Sequence, residues 1–237
     1  FRLLTDAVGE KGYRQIDINL GCPFPMIAGK HKGAGMLLYP AQVAEVLAPI
    51  AEYPEIQFSL KMRLGWENAS ECMVLVELLN TLRLSRIALH ARTGKQQYKG
   101  HPDLEAFQGF YELCQHPLYY NGGIESLSDI RQILIRFPLL KGVFIGRGLL
   151  SSPLLAKEFK GNETFLPEQR MSIYFAFHEE LFSAYSQVLQ GETQLLVKMK
   201  TLWEYFLPET DRKLLKRIKK STRLQQYTES VKAIFTS

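Results

Sequence analysis

The sequence predicts an α/β protein built on a parallel sheet, followed by a small all-helical domain. Across the first two-thirds of the chain, short apolar segments alternate with amphipathic helical patterns. Continuous apolar strands separated by helices indicate a parallel sheet covered on both faces. From about residue 160 onward only helical periodicities remain, which indicates that a second domain follows the sheet.

The five predicted strands are short and apolar: residues 15–20, 58–64, 86–92, 118–121 and 142–146. Between the first two, "PAQVAEVLAPIAEY" places Val43, Val46, Leu47 and Ile50 on one helical face, and Pro40 suits a first turn. In the last third, "PEQRMSIYFAFHEELFSAYSQVLQ", "TQLLVKMKTLWEYF", "RKLLKRIKK" and "TESVKAIF" all have helical periodicity.

Both a doubly wound sheet and a (β/α)8 TIM barrel fit this alternation. A barrel uses about 250 residues for eight units, or ~31 per unit, so residues 1–158 have room for about five units. The chain opens on a predicted helix that is already in progress, which suggests a cut inside a larger fold. We therefore expect strands four to eight of a barrel in residues 1–158, the first three before residue 1, and a helical domain in residues 159–237.

Composition and charge narrow the class of protein. The 237 residues contain no apolar run near the roughly 20 residues that span a bilayer, and no signal peptide pattern. Three cysteines without CxxC spacing favour neither a disulfide framework nor a zinc site, and we expect a reduced, cytoplasmic setting. The net charge is +5, and residues 192–237 hold ten basic against five acidic residues, so the whole excess lies there.

Each predicted strand ends in a polar or glycine cluster. The clusters contain Asn19 and Cys22, Lys61 and Arg63, His90 and Arg92, Asn121-Gly122-Gly123, and Gly146-Arg147. Active sites of barrels lie at the carboxyl ends of the strands, and phosphates bind in the loops after the last two. The two glycine clusters therefore suit an anionic phosphate, although such turns are also common strand terminators.

Two of these residues have competing interpretations. Lys61 lies within a buried pattern, where an ammonium group is costly without an anion, so it belongs either to a ligand site or to a structural ion pair. A free cysteine is usually a small core residue, and we interpret Cys72 and Cys114 in that way. Cys22 instead follows a glycine and precedes a proline in the loop after a strand, which favours a chemical role.

With these motifs in view, the chain resembles the tRNA-dihydrouridine synthases, FMN enzymes that reduce uridines in the D-loop of tRNA. The resemblance rests on "DINLGCP", "GAGMLL", "LKMRLGW", "HARTGKQQYKG", "NGGI" and "IGRGLL", in the order of that family. It implies that NADPH reduces FMN, that hydride passes to carbon 6 of the uracil, and that Cys22 protonates carbon 5. It further implies a preceding stretch with the first barrel strands and more FMN contacts.

The resemblance also implies roles for individual residues. Lys61, His90, Asn121, Gly122, Gly123, Gly146 and Arg147 match FMN contacts, while Asn19, Arg63 and Tyr98 match positions near the uracil. In one respect the chain departs from the family: Phe24, Pro25 and Met26 stand where a small residue and a basic residue are usual.

The segment "RKLLKRIKKSTR" predicts a basic amphipathic helix with seven cations and no acid. Such helices bind nucleic acid or acidic membranes, or are simply solvated; beside a site for a polynucleotide, tRNA is favoured. The predicted tRNA contacts are Lys198, Lys200, Lys213, Lys216, Arg217 and Lys220. We expect a monomer without an obligate protein partner. The alternatives are a small-molecule FMN oxidoreductase of the dihydroorotate dehydrogenase type and a non-catalytic RNA-binding protein.

Overall fold

A computed structural model describes residues 1–236, which pack as two compact units. The sheet unit comprises residues 1–124 and 128–145, and the helical unit comprises residues 125–127 and those from 146 onward. Residues 146–158, which the sequence analysis assigns to the barrel domain, are thus counted with the helical unit.

The sheet unit is built on five parallel strands that hydrogen-bond in chain order. These are β1 (Gln15–Leu20), β2 (Gln57–Gly65), β3 (Leu84–Thr93), β4 (Leu118–Asn121) and β5 (Gly142–Phe144). The predicted parallel α/β sheet is confirmed. A doubly wound sheet reverses its strand order part-way, and the five described strands contain no such reversal.

Six helices belong to this part of the chain: α1 (Arg2–Glu10), α2 (Pro25–Ala28), α3 (Pro40–Leu47), α4 (Glu71–Thr81), α5 (Leu104–Leu113) and α6 (Leu127–Arg136). The sequence predicts a single helix over "PAQVAEVLAPIAEY", and this prediction is wrong for the second half of the segment. The α-helix ends at Leu47 and a 3-10 turn follows over Ala48–Glu52. Pro49 lacks the N–H that an α-helix would use there, and its ring crowds the preceding turn.

The two faces of the sheet differ in chemistry. Paired residues of parallel strands share a face, and the pairs Asn19–Lys61, Arg63–His90 and His90–Asn121 place polar side chains on one of them. The other face carries the apolar residues of the same strands, such as Leu60, Met62 and Leu89, all fully buried. The polar face therefore gathers the predicted site residues of four strands, while the apolar face forms the core.

The helical unit comprises α7 (Arg147–Ser151), α8 (Leu155–Gly161), α9 (Pro167–Val188), α10 (Gly191–Leu202), α11 (Arg212–Lys220) and α12 (Leu224–Phe235). Its core centres on Met199, Trp203, Phe206, Ile218 and Tyr227, each at most 2% exposed. Within residues 1–236, no helix is both long enough and apolar enough to cross a membrane.

Candidate active site and nucleic-acid surface

Cys22 lies in a tightly held turn directly after β1. The Gly21 N–H donates to Asn19 Oδ1 at 2.8 Å, and the Ala34 N–H donates to the Cys22 carbonyl at 3.0 Å. Gly33 has a φ of 55°, and a Cβ on it would stand 2.8 Å from both Cβ and O of Cys22. The turn thus needs glycine at position 33, a residue that the sequence analysis missed although it opens the "GAGMLL" motif.

The three cysteines have different surroundings. Cys72 is fully buried, and burial raises the pKa of its thiol to about 12. Cys114 is half-buried, and burial also raises the pKa of its thiol. Cys22 is partly exposed at the carboxyl edge of the sheet. The two thiols interpreted as core residues are therefore held protonated by burial, while Cys22 has access to a ligand.

Lys61 lies opposite Asn19 on the polar face and is partly buried. Burial lowers the pKa of its ammonium group and nearby Arg63 lowers it further, while Asp17 opposes both effects. The Asp17 carboxylate accepts a hydrogen bond from the Ser59 hydroxyl. The Lys61 ammonium group is thus a partly desolvated cation that an anion would stabilise.

Arg63 is the most enclosed cation of the sheet unit, with only 2% of its surface exposed. Its Nε donates to the Gly21 carbonyl at 3.0 Å, and one terminal nitrogen donates to the carbonyls of Thr93 and Gln97 at 2.9 and 2.8 Å. The guanidinium lies 5.5 Å from the centre of the Tyr98 ring, which is itself 55% exposed.

Arg92 and His90 lie side by side after the middle of β3. The Arg92 guanidinium is 3.2 Å from His90 Nε2, and it also donates to the Gly100 carbonyl at 3.0 Å. A Cβ on Gly122 would stand 3.1 Å from the His90 ring. Gly122 and Gly123 have φ values of 133° and 61°, so this turn requires glycine twice and brings bare backbone beside the imidazole.

Asn121 lies at the end of β4, opposite His90, and its side-chain amide donates to the Phe144 carbonyl at 2.7 Å. The sheet unit thus brings together Asn19, Cys22, Lys61, Arg63, His90, Tyr98, Asn121, Gly122 and Gly123 at the carboxyl ends of β1 to β4. Gly146 and Arg147, the other two predicted FMN contacts, belong to the helical unit, where they form the start of the five-residue helix α7.

The basic helix α11 forms an exposed cationic surface on the helical unit. Its first turn is capped by the Asp211 carboxylate, which accepts from the N–H groups of Lys213 and Leu214. Ile218 is buried and the cations point outward. A cleft of about 460 Å³ between α11 and α12 is lined by Lys213, Lys216, Arg217, Lys220, Ser221, Gln226, Glu229 and Ser230. We call these eight residues the basic cleft.

The two cations predicted on α10 lie in different surroundings. The Lys200 ammonium donates to the Ser221 carbonyl at 2.8 Å, where it stabilises the carboxyl end of α11. The Lys198 ammonium lies 5.3 Å from the centre of the Tyr185 ring. Four of the six predicted tRNA contacts therefore line the basic cleft, and the other two contact their own unit.

A family model described as "Dihydrouridine synthase (Dus)" matches residues 4–236. The chain belongs to the dihydrouridine synthase family. The resemblance inferred from the sequence motifs is thereby confirmed, and the match includes both compact units.

Curated members of the family are similar to large parts of the chain. The tRNA-dihydrouridine synthase B of Vibrio vulnificus is 28% identical over 174 residues, covering 70% of this chain and 54% of the relative. That of Vibrio cholerae is 28% identical over 167 residues, covering 69% and 52%. A probable tRNA-dihydrouridine synthase of Rhizobium leguminosarum bv. phaseoli is 32% identical over 139 residues, covering 58% and 44%. The chain spans about half the length of the curated relatives it matches.

Proposed function

We propose that the protein reduces the 5,6 double bond of uridines in the D-loop of tRNA, with FMN as the bound cofactor and NADPH as the reductant. The observation that carries the proposal is the partly exposed Cys22 thiol, held in a glycine-dependent turn beside the cation-rich edge of the sheet. Curated relatives named tRNA-dihydrouridine synthase B support it.

The residues at the sheet edge fit an anionic flavin nucleotide. Lys61 supplies a partly desolvated cation, His90 a ring nitrogen beside Arg92, Asn121 a side-chain amide, and Gly122-Gly123 bare backbone. We propose these as FMN contacts, and Gly146 and Arg147 stay predictions for the same role. When bound, the flavin supplies a hydride to carbon 6 of the uracil.

Cys22 acts as the general acid in this proposal. Its thiol gives a proton to carbon 5 of the uracil, so the pyrimidine gains one hydride and one proton and becomes dihydrouracil. Proton transfer to carbon needs the donor at a fixed distance and angle, which accounts for a turn with several backbone constraints. Asn19 and Tyr98 are proposed to contact the pyrimidine, which must leave the base stack to enter the site.

The helical unit is proposed to bind the tRNA backbone. The basic cleft presents four cations that can neutralise phosphates without regard to base sequence. Lys198 and Lys200 stay predictions as contacts. With a tRNA substrate we expect a cytoplasmic protein, and we keep the expectation of a monomer.

The fold is proposed to be a barrel of the family type. Five parallel strands in chain order, with polar residues at their carboxyl ends, support the assignment of β1 to β5 as barrel strands four to eight. The division into a barrel domain of residues 1–158 and a tRNA-binding domain of residues 159–237 stays a prediction.

The decisive experiment is reduction of tRNA by the purified protein. Unmodified tRNA, NADPH and FMN are incubated with the protein, and dihydrouridine is measured in the hydrolysed RNA. We expect dihydrouridine to form in the D-loop. NADPH oxidation driven by a free pyrimidine such as orotate, with tRNA unchanged, would instead identify the small-molecule oxidoreductase. Absence of bound flavin together with tRNA binding would identify a non-catalytic RNA-binding protein.

A further inference from the structure

Arg63 joins two loops that leave neighbouring strands. Its side chain projects from β2, the strand between β1 and β3, onto the polar face of the sheet. On one side its Nε holds the carbonyl of Gly21, the residue before Cys22. On the other side a terminal nitrogen holds the carbonyls of Thr93 and Gln97. We call residues 93–100, which follow β3 and contain Tyr98, the Tyr98 loop.

The Gly21 contact fixes the peptide plane that leads into Cys22. The carbonyl of Gly21 and the N–H of Cys22 belong to one planar group, so the direction of that carbonyl also sets the direction of the Cys22 backbone. The Gly21 N–H is held by Asn19 and the Cys22 carbonyl by Ala34. Two backbone groups lie between these contacts, the Gly21 carbonyl and the Cys22 N–H, and Arg63 holds the carbonyl.

The same guanidinium determines the shape of the Tyr98 loop. Gln97 adopts a φ of 52°, an unfavourable conformation for a residue with a side chain, and its carbonyl accepts from Arg63 at 2.8 Å. The Tyr98 ring lies over the guanidinium. A planar group with donors in fixed directions can hold both loops at one separation, which a lysine ammonium cannot do.

We propose that Arg63 is a positioning residue that holds the Cys22 turn and the Tyr98 loop at a fixed separation, so that the thiol meets a pyrimidine bound beside Tyr98. This inference rests on the proposed function. It differs from the family resemblance, which implies a place for Arg63 near the uracil itself, because here the guanidinium is 2% exposed and donates to three backbone carbonyls. Arg63 acts on the substrate through the two loops.

The test compares Arg63→Lys with Arg86→Lys in the full protein. Arg86 lies on the same polar face, on β3 opposite Ser59, but it is exposed and its guanidinium lies over the Phe144 ring, 5.7 Å from its centre. Both substitutions keep the charge and remove a planar donor, so the pair isolates what the Arg63 geometry contributes.

Three quantities are measured for each variant: kcat and KM for tRNA reduction, and the rate of Cys22 alkylation. For Arg63→Lys we expect kcat for tRNA reduction to fall about 10- to 100-fold, with KM for tRNA within about twofold, because misplacement of a reacting group affects the chemical step. We also expect the rate of Cys22 alkylation by iodoacetamide, without flavin or tRNA, to change by about threefold or more as the surroundings of the thiol change. Arg86→Lys should leave all three quantities at their wild-type values.

The measured values distinguish a positioning role of Arg63 from direct contact with the substrate and from no role at Cys22. A rise in KM with unchanged kcat would show that Arg63 contacts the substrate directly, and an unchanged alkylation rate would show that it does not position Cys22. Either result overturns the inference. If the wild-type protein does not reduce tRNA, the proposed function fails. The alkylation comparison still decides whether Arg63 fixes the position of the Cys22 thiol.

A measurement on the wild-type protein covers the case in which Arg63→Lys does not fold. With 15N-labelled arginine, the Arg63 Nε–H should give an NMR signal protected from solvent exchange, since it is buried and bonded to the Gly21 carbonyl. The exposed Arg86 Nε–H should exchange rapidly. Rapid exchange at Arg63 would overturn the inference without any variant.

Discussion

Two sets of cationic side chains, one at the sheet edge and one on α11 of the helical unit, behave in opposite ways. In the sheet unit, Arg63 and Arg92 are 2% and 5% exposed, and their guanidinium groups donate to backbone carbonyls of neighbouring loops. In the helical unit, the cations of α11 are exposed and lie around an open cleft. Cationic side chains therefore hold backbone geometry at the sheet edge and present charge to solvent on α11.

The difference follows from the cost of burying a charge. A buried cation must regain through hydrogen bonds what it loses in hydration, so it is tied to acceptors in one arrangement. An exposed cation keeps its hydration and acts through its field, which falls off with ionic strength. The comparison predicts that changes in the sheet unit affect the chemical step and that changes on α11 affect salt-dependent binding.

The largest expected effect is the loss of Cys22, the proposed general acid. Cys22→Ala should lower kcat for tRNA reduction about 10²- to 10⁴-fold, the usual contribution of a general acid. Binding of tRNA should stay unchanged, because the cations of α11 are unaffected. The measurements are dihydrouridine formation and filter binding of the same tRNA.

Cys114→Ala is the matched control for this variant. Cys114 is also a partly buried thiol of the sheet unit, but it lies after α5, where its Sγ is 3.8 Å from the His116 carbonyl. We expect full activity from it. Full activity of Cys22→Ala on unmodified tRNA would refute the assignment of the acid.

The second effect concerns the basic cleft. Replacing Lys216 and Lys220 together by glutamine should weaken tRNA binding about tenfold at moderate salt and reduce the slope of log K against log salt by about 1.5, as two lost phosphate contacts require. The kcat at saturating tRNA should stay near the wild-type value. The double variant Lys160→Gln/Lys232→Gln removes the same charge at two exposed positions outside the cleft.

If both double variants reduce the salt slope equally, the net charge of the unit drives binding and the cleft has no special role. If only the cleft variant reduces it, phosphates bind at α11. A lower kcat without a change in slope would contradict the contrast between the two units.

The elements that could be predicted from the sequence are those with a local signal. Apolar runs gave the five strands within two or three residues, and the spacing of Leu214, Leu215 and Ile218 gave α11 with its cations on the outer side. Pro49 was the local signal that was overlooked, and it separates α3 from the 3-10 turn. The polar strand ends also lie together, as the sequence predicted, since all parallel strands end on the same edge.

The contacts of the site could not be predicted, because their partners lie far apart in sequence. The three carbonyls held by Arg63 are 42, 30 and 34 residues from it along the chain. Lys200 and the Ser221 carbonyl are 21 residues apart. A charge count shows only that a cation exists, and strand register together with loop shape decides whether it contacts a ligand or a carbonyl.

The smallest expected effect tests the buried polar groups of the helical unit, which contain a titratable ring. His178, Trp203 and Tyr227 are each at most 2% exposed. The Trp203 indole N–H can only donate, and it donates to the Tyr227 oxygen at 2.9 Å. The Glu179 carboxylate can only accept, so the His178 Nδ1–H donates to it at 3.0 Å. The Nε2 atom of the neutral ring then accepts the Tyr227 hydroxyl proton at 2.7 Å.

Acid should destabilise this arrangement. Burial lowers the pKa of His178, while Glu179 partly opposes the shift. Because the unfolded chain binds the proton more readily, the stabilisation is complete above the ordinary histidine pKa of about 6.5 and is lost as the pH falls below it. The protection factors of α9, α10 and α12 amides, which correct for the intrinsic slowing of exchange in acid, should therefore fall between about pH 7.5 and pH 5.5.

His178→Gln and His101→Gln distinguish the buried ring from a generic effect of acid. His101 is exposed in the sheet unit, so its replacement should leave the pH dependence of the helical unit unchanged. His178→Gln removes the group that titrates, so this variant should be less stable at neutral pH but should lose less stability on acidification. If it keeps the full pH dependence, protonation at Nε2 is not what loosens the unit. The polar core of the helices would then be as indifferent to pH in this range as the guanidinium contacts of the sheet unit are expected to be.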